Sequence, residues 1–348
     1  MVRVGVVGVG GNGSGHVRRT SAIKNAEVVA ICDIDPIKLK NIGDEFGIAE
    51  DHRFLDYKDL IACPDVEAVE ISTPNYMHCE IALAAVKAGK PINVEKPLDI
   101  NVERTKELAE ELEKTGIRNM VCFSYRFKSA VRYAKDILDE GLLGDIYTVN
   151  IAYQQSGALI PGRRLEWRFE KEKAGSGTLG DLGSHLIDMA MLLCGNIKSV
   201  SAQMGTAVKS RRRLDSEEYA DVNVDDFCNF VAQFESGASA VFSVTKCAIG
   251  HSNTIKFEVF GSKGVISFNL NEPDTLDVCV GKIDVESNGL HTIQVPARYR
   301  VDQQETFINM CEGIETPLLP TVADGVKVQK VLDAVILSAE AQRVVNID

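Results

Sequence analysis

Lys96, Asp181 and His185 are the side chains of this sequence whose types and places suit proton transfer at a carbon-bound hydroxyl. Lys96 closes the short apolar run Pro91-Ile92-Asn93-Val94-Glu95. It therefore stands at the C-terminal edge of a parallel-type strand, where open α/β sheets hold their ligands. Pro97 behind it biases Lys96 toward an extended backbone. An ammonium there can bond a substrate oxygen, and a surface lysine in a strand-to-helix loop is the plainer alternative. Asp181 and His185 lie in Gly175-Ser176-Gly177-Thr178-Leu179-Gly180-Asp181-Leu182-Gly183-Ser184-His185-Leu186-Ile187-Asp188. Spaced at i and i+4, the two point from one helix face, with Asp188 close to it. An imidazole titrates near neutrality and suits removal of a hydroxyl proton. Two further readings stay open: a satisfied helix histidine, or an acid–imidazole pair gripping zinc. For zinc, His78, His251 and His291 offer no third ligand at a matching spacing.

The cofactor is written at the start of the chain. Val4-Gly5-Val6-Val7 runs into Gly8-Val9-Gly10-Gly11-Asn12-Gly13, and Asp33 ends the next apolar run, Val28–Cys32. Gly8 allows the tight turn, Gly10 lets backbone approach a pyrophosphate, and Gly13 lets the helix pack on the sheet. The free N–H groups of that helix face the phosphates. Asp33 is placed to accept hydrogen bonds from an adenosine ribose. A carboxylate there pairs with a free 2′-hydroxyl and repels a 2′-phosphate, which favours NAD over NADP. Lys38 and Lys40 are the nearby cations that a 2′-phosphate would recruit.

Positioning these groups requires two domains, which 348 residues accommodate. A net charge of −12 argues against a nucleic-acid surface, and 45% apolar content supplies a globular core. Arg211-Arg212-Arg213 is a compact basic run with acids close behind, and reads as a solvated loop. No apolar stretch is long enough for a membrane span, and residue 2 leads into a strand rather than a signal peptide. The nine cysteines are scattered without a CxxC, as expected in a reducing cytosol, so the expected location is cytoplasmic and the expected metal content is none.

The first third alternates strands and helices, with a helix over Pro36–Phe46, a strand near Phe54, and another over Val66–Ser72. A helix follows Thr73-Pro74-Asn75, then come a strand over Pro91–Glu95 and a helix over Glu103–Lys114. That alternation implies a parallel sheet covered on both faces. From about Ile146 strands dominate: Ile146–Ala152, Ser199–Thr206, Phe227–Phe234, Ala238–Thr245, Thr254–Phe260, Gly264–Phe268, Leu276–Val280 and Thr292–Val295. Turns such as Glu235-Ser236-Gly237 make this sheet largely antiparallel. Helical signals interrupt it twice, at Leu179–Leu193 and Val326–Ala341.

These elements together resemble the oxidoreductases grouped around glucose–fructose oxidoreductase and inositol dehydrogenase (the Gfo/Idh/MocA family). The matching stretches are Gly8–Gly13, Ser72-Thr73-Pro74-Asn75-Tyr76-Met77-His78, Glu95-Lys96-Pro97, Tyr125-Arg126-Phe127 and Gly180–Asp188. Gly261-Ser262-Lys263-Gly264, Ala323-Asp324-Gly325 and Ala334–Ala339 extend the likeness over nearly the whole chain. Lys128 after Tyr125-Arg126-Phe127 departs from the pattern, where many relatives carry proline. The charged stretch Lys209–Asp225 departs as well.

The resemblance implies an α/β chain: a Rossmann dinucleotide-binding domain over 1–124, and a domain over 125–348 with a large open, mainly antiparallel sheet. By analogy the last helix, about 326–341, packs back on the first domain. The open sheet usually forms subunit contacts, giving a homodimer or homotetramer. The family's lysine, aspartate and histidine carry over to Lys96, Asp181 and His185. The dinucleotide is expected at Gly8, Gly10, Gly11, Asn12, Gly13, Asp33, Ser72, Thr73, Pro74, Asn75, His78, Glu95 and Lys96. Arg126, Tyr153, Trp167 and Arg168 are candidate pocket residues beside Lys96, Asp181 and His185, although a lone tryptophan is more often core. The implied activity is NAD-dependent oxidation of a secondary hydroxyl on a sugar, polyol or cyclitol, or its reverse. Rivals are a nucleotide-sugar or dihydrodiol dehydrogenase, and a dinucleotide- or sugar-sensing regulator without turnover. Having both Lys96 and His185 speaks against a pure sensor.

Overall fold

Strands β1 (Val2–Val7), β2 (Ala26–Cys32), β3 (Arg53–Phe54), β4 (Ala68–Ile71), β5 (Ile92–Val94) and β6 (Asn119–Val121) form one sheet in the computed structural model, which describes residues 1–347. The sheet runs β3-β2-β1-β4-β5-β6 with every pairing parallel. Strand order reverses between β1 and β4, which opens the crevice where such sheets bind ligands. β4 is buried along its whole length, as a strand covered on both faces must be. The helix Pro36–Phe46 keeps its expected bounds because each end is signalled. Asp35 accepts from the Ile37 N–H, Pro36 opens the first turn, and Gly47 closes the helix at φ 69°.

The chain divides into two compact units: Met1–Phe123 with Asp302–Val326, and Ser124–Val301 with Lys327–Asp348. The returning stretch is held in the first unit by side chains. Gln304 bonds Glu70 at 2.7 Å, Arg118 bonds the Cys311 carbonyl, and Asn119 accepts from the Val322 N–H. From Lys327 onward the last helix, Val322–Ala341, groups with the second unit, where Ser338 accepts from the Ala202 N–H.

The second unit carries β7 (Ile146–Gln154), β8 (Ile197–Gly205), the hairpin β9 (Ser210–Arg212) and β10 (Tyr219–Asp221), β11 (Phe227–Phe234) and β12 (Ser239–Thr245). β13 (Thr254–Gly261), β14 (Gly264–Asn269), β15 (Thr275–Val280), β16 (His291–Gln294) and β17 (Val345–Asn346) complete it. Apart from the hairpin they form one nine-stranded sheet, ordered β16-β15-β14-β13-β7-β12-β11-β8-β17. Only the β7–β12 pairing within it is parallel. β11 alternates exposed and buried residues without a break, so one sheet face is core. On that face Phe230 stacks on Phe242 at 4.2 Å.

Two expectations change here. Helices interrupt the strand-rich stretch after Ile146 more than twice, with Lys171–Ala174, Lys282–Ser287 and Gln303–Glu312 in addition. These are short and their apolar spacing is brief, so tertiary packing rather than periodicity defines them. The basic run is no solvated loop: Arg211 lies inside β9 and is 4% exposed.

Candidate active site

The first unit supplies a cradle for a dinucleotide. Gly8 has φ +84°, and a Cβ there would stand 2.5 Å from the Ser72 carbonyl oxygen. A Cβ on Gly13 would stand 1.7 Å from the Gly8 oxygen, so glycine is obligatory at both places. Gly11 instead meets nothing within 4 Å, and Gly10 meets only the Lys38 ammonium at 3.9 Å. No side chain caps the helix Gly11–Ser21, so its first-turn N–H groups face that open side without an internal acceptor. Across the crevice loop, the buried Thr73 hydroxyl has no hydrogen-bond partner among the described residues. A pyrophosphate and its attached groups fit these donors and this space.

Asp33 accepts from the Val9 N–H at 3.0 Å and from the Asp35 N–H at 3.0 Å. These bonds fix the carboxylate at the end of β2. Lys38 lies 3.8 Å from Asp33, whereas Lys40 is paired with Asp44. Lys38 is thus the cation that bears on cofactor choice.

Beneath the glycine loop lies a buried network that sequence reading missed. His16 stands between two carboxylates, bonded through Nδ1 to Glu70 and through Nε2 to Glu95 at 2.9 Å. Glu70 also accepts from Thr20, Asn93 and Gln304. Burial alone would push the His16 imidazole down. The Glu70 charge and the hydrogen bonds of Cys122, Glu70 and Glu95 overrule burial and hold it well above the ordinary 6.5. Burial would likewise raise Glu95, yet the His16 bond and charge, with Lys96, hold it at about 2. Glu95 in turn accepts from the Asn12 side chain and from the Lys96 N–H. Three metal-type ligand atoms, on His16, Glu95 and Cys122, lie within 4.8 Å of one another. Both imidazole nitrogens already serve carboxylates, and burial pushes the Cys122 thiol up to about 12. The cluster therefore reads as a brace rather than a metal centre.

His78 is a second brace. Its ring is buried, with Nδ1 2.8 Å from the Pro97 carbonyl and Nε2 2.9 Å from the Thr73 carbonyl. It lies between the Ser72–Asn75 loop and the Lys96-Pro97 loop and contacts the backbone of both.

The second unit brings together Asp181, His185, Tyr125 and Tyr153. Asp225 accepts from the Gly177 and Leu179 N–H groups at 2.7 and 2.8 Å, fixing the turn that leads into Asp181. Residues Leu179–Gly183 form a π turn, and the α-helix proper is Ser184–Cys194. Asp181 and His185 are therefore not a plain α-helical i, i+4 pair; such widened turns recur at functional sites. Asp181 pairs with Lys246 at 2.8 Å, while the His185 ring sits edge-on to Tyr125 at 4.6 Å. The Tyr125 and Tyr153 hydroxyls are 2.6 Å apart, and Tyr153 donates to Asn253. Burial, then the Tyr125 neighbour, pushes the Tyr153 phenol up, so it remains a neutral donor.

Arg126 is buried and bonds Asp188 at 2.8 Å, so its charge is balanced inside the unit. Trp167 is half-buried under the Arg168 guanidinium, 4.4 Å from the ring centroid. Lys246 was missed by sequence reading. Its one signal was a lysine directly following the apolar run of β12.

Comparison with known proteins agrees with both halves. Residues 2–123 match the oxidoreductase family with an NAD-binding Rossmann fold, and residues 131–267 match the Gfo/Idh/MocA C-terminal domain. The levoglucosan dehydrogenase of Pseudarthrobacter phenanthrenivorans is 32% identical over 84% of this chain and 83% of its own. The glucose-6-phosphate 3-dehydrogenase of Bacillus subtilis is 27% identical over 96% and 95%. A solved levoglucosan dehydrogenase complex with NADH and levoglucosan superposes with a TM-score of 0.89 at 32% identity, covering 100% of this chain and 99% of that one. No helix among the described residues is long and apolar enough to cross a membrane. The chain belongs to the Gfo/Idh/MocA family: it is an NAD-binding oxidoreductase whose relatives include sugar dehydrogenases.

Proposed function

We propose that this protein oxidises a secondary hydroxyl of a sugar, polyol or cyclitol, or reduces the matching ketone. The observation that carries this reading is the polar cluster of the second unit: His185 against Tyr125, with the Asp181–Lys246 pair on the preceding turn. Bound NAD supplies the acceptor for the hydride that leaves the substrate carbon. His185 takes the hydroxyl proton at an imidazole nitrogen. Lys96 stabilises the developing alkoxide through its ammonium. Asp181, held by Lys246, bonds a further substrate hydroxyl and orients the ring. Tyr153, Trp167 and Arg168 line the sugar, and Arg126 positions the His185 helix through Asp188. Gly8, Gly10, Gly11, Asn12, Gly13, Asp33 and Ser72–Asn75 hold the dinucleotide.

The substrate panel begins with levoglucosan and glucose 6-phosphate, after the names of two relatives, and continues with inositols and nucleotide sugars. NADH formation across that panel is the test, and saturable NAD binding without turnover on any member would favour a sensor. The working form is a homodimer or homotetramer. Val231 and Val241 are paired across β11 and β12, 51% and 49% exposed, and offer the sheet face for it.

A further inference from the structure

A pocket of about 470 Å³ in the second unit is walled by Arg163, Arg164, Arg211 and Arg212, with Ser210 and Tyr219, and no carboxylate lines it. Its floor is the hairpin β9–β10, joined to the loop after β7 by the bridge Leu165–Arg213. Beneath lies the apolar cluster Leu165, Phe169, Val222 and Val224. In a chain of net charge −12, such a concentration of guanidinium is built against the overall field.

The ion-pair balance is incomplete. Glu166 serves Arg163, and Glu217 alone serves both Arg164 and Arg212. Arg211 has no acidic partner within 4 Å among the described residues, although it is 96% buried by its 4% exposure. Its terminal nitrogens donate to the carbonyls of Ala158 and Arg163, and its Nε is buried with no partner. Arg163 and Arg211 both lie against the Phe169 ring, 4.9 and 4.1 Å from its centroid, so two like charges share one small site. Asp226 and Glu166 act on this charge from beyond salt-bridge distance, and burial outweighs them. A buried charge without a direct acidic partner is costly, and an oxyanion in the pocket is the group that answers the clustered guanidinium charge.

We propose that this pocket is a binding site for a small oxyanion, a phosphate or a carboxylate group, with Arg211 as its anchor and Arg163, Arg164 and Arg212 as its walls. The anion is either the charged group of a sugar substrate or a free ligand; both present the same chemistry to the guanidinium forks. One route joins the pocket to the proposed catalytic aspartate. Arg211 donates to the Ala158 carbonyl, the Ala158 N–H bonds the Lys246 carbonyl, and Lys246 pairs with Asp181.

The sole tryptophan, Trp167, lies outside the pocket lining but two residues from Phe169, on which Arg163 and Arg211 pack, and serves as the fluorescence probe. Inorganic phosphate titrated into the full chain, with chloride holding ionic strength constant, should change its fluorescence saturably and raise the melting temperature. The double variant Arg164→Gln/Arg212→Gln, both partly exposed and outside the catalytic set, should bind phosphate about tenfold or more weakly. Arg211→Gln, if folded by circular dichroism, should abolish binding; if it does not fold, the double variant decides. Equal responses to phosphate and chloride, or unchanged binding in the double variant, would overturn the proposal. Kinetics then separates the sources. Competitive inhibition of sugar oxidation by phosphate assigns the site to a substrate's charged group, whereas binding without competition assigns it to a separate ligand. Either result upholds the site, and neither depends on which sugar is oxidised.

Discussion

Two buried cations, one in each unit, are compensated in opposite ways. His16 in the first unit lies between Glu70 and Glu95, and Glu70 is further satisfied by Thr20, Asn93 and Gln304. Arg211 in the second unit has carbonyls, an aromatic face and an unsatisfied Nε, with no carboxylate in direct contact among the described residues. A network complete in itself fixes geometry whatever is bound, and here it fixes the glycine loop and the Glu95-Lys96 loop. A site left short of negative charge is completed from outside. Burial alone therefore does not mark a functional group; the state of its partners does.

The largest expected effect is on turnover. Lys96→Ala and His185→Ala should each lower kcat by about 10²–10⁴-fold with NAD affinity nearly unchanged. The double variant should lose far less than the product of the two. A folded His185→Ala protein with full activity would end the catalytic assignment. Asp181→Asn should chiefly raise KM.

Next in size is the stability contrast between the two cations. His16→Gln leaves two buried carboxylates facing a neutral amide, which should cost about 3–5 kcal/mol in chemical denaturation. Arg211→Met, measured without phosphate, should cost clearly less, because no carboxylate is abandoned. Equal losses would erase the distinction between brace and vacancy of charge. The pH dependence sharpens it further. The folded His16 value lies above its ordinary 6.5, so its contribution is complete below 6.5 and is lost as pH rises through the folded value. Glu95 sits at about 2 against 4.5, so its contribution is complete above 4.5 and is lost as pH falls through about 2. Melting temperature should therefore decline on the alkaline side of 6.5, and His16→Gln should flatten that limb.

Much of this was legible in the sequence, for reasons that differ by element. The glycine loop, Asp33 and most strands of both sheets announce themselves through local spacing, because turn geometry and pleat period are properties of neighbouring residues; β6 and β17, three and two residues long, are too short to do so. His16, Glu70, Lys246 and Arg211 were not legible. Glu70 lies within an apolar strand and meets Gln304 from 234 positions away, so only the folded chain reveals that its charge is answered. The π turn at Leu179–Gly183 escaped for a related reason. Its residue spacing satisfies an ordinary helix, and the two Asp225 bonds that anchor the preceding turn come from another part of the chain.

A smaller effect concerns the sheet faces. β4 at the middle of the first unit's sheet is buried on both faces, whereas β11 and β12 present Val231 and Val241 outward. If that face joins subunits, light scattering should give a multiple of 38.0 kDa, and Val231→Asp/Val241→Asp should reduce it to the monomer. A monomeric wild type at micromolar concentration would remove the claim.

The smallest expected effect is on cofactor choice, where one carboxylate and one ammonium act against each other. Asp33 is held by the Val9 and Asp35 N–H groups, so it cannot swing away from an incoming 2′-phosphate. Lys38, 3.8 Å from Asp33 and 3.9 Å from the Cβ position of Gly10, is half-exposed, and its four-carbon stem can turn the ammonium toward a 2′-phosphate. A fixed negative charge against an adaptable positive one should favour NAD. Asp33→Asn should narrow that preference by about tenfold, the size of one lost charge-assisted contact. Lys38→Ala should widen it, since only the phosphate draws on the ammonium. Titration calorimetry with both dinucleotides reads each change separately. If Asp33→Asn left the NAD to NADP ratio unmoved, the ribose would be recognised elsewhere, and Asp33 would serve only to close the turn between β1 and the glycine loop.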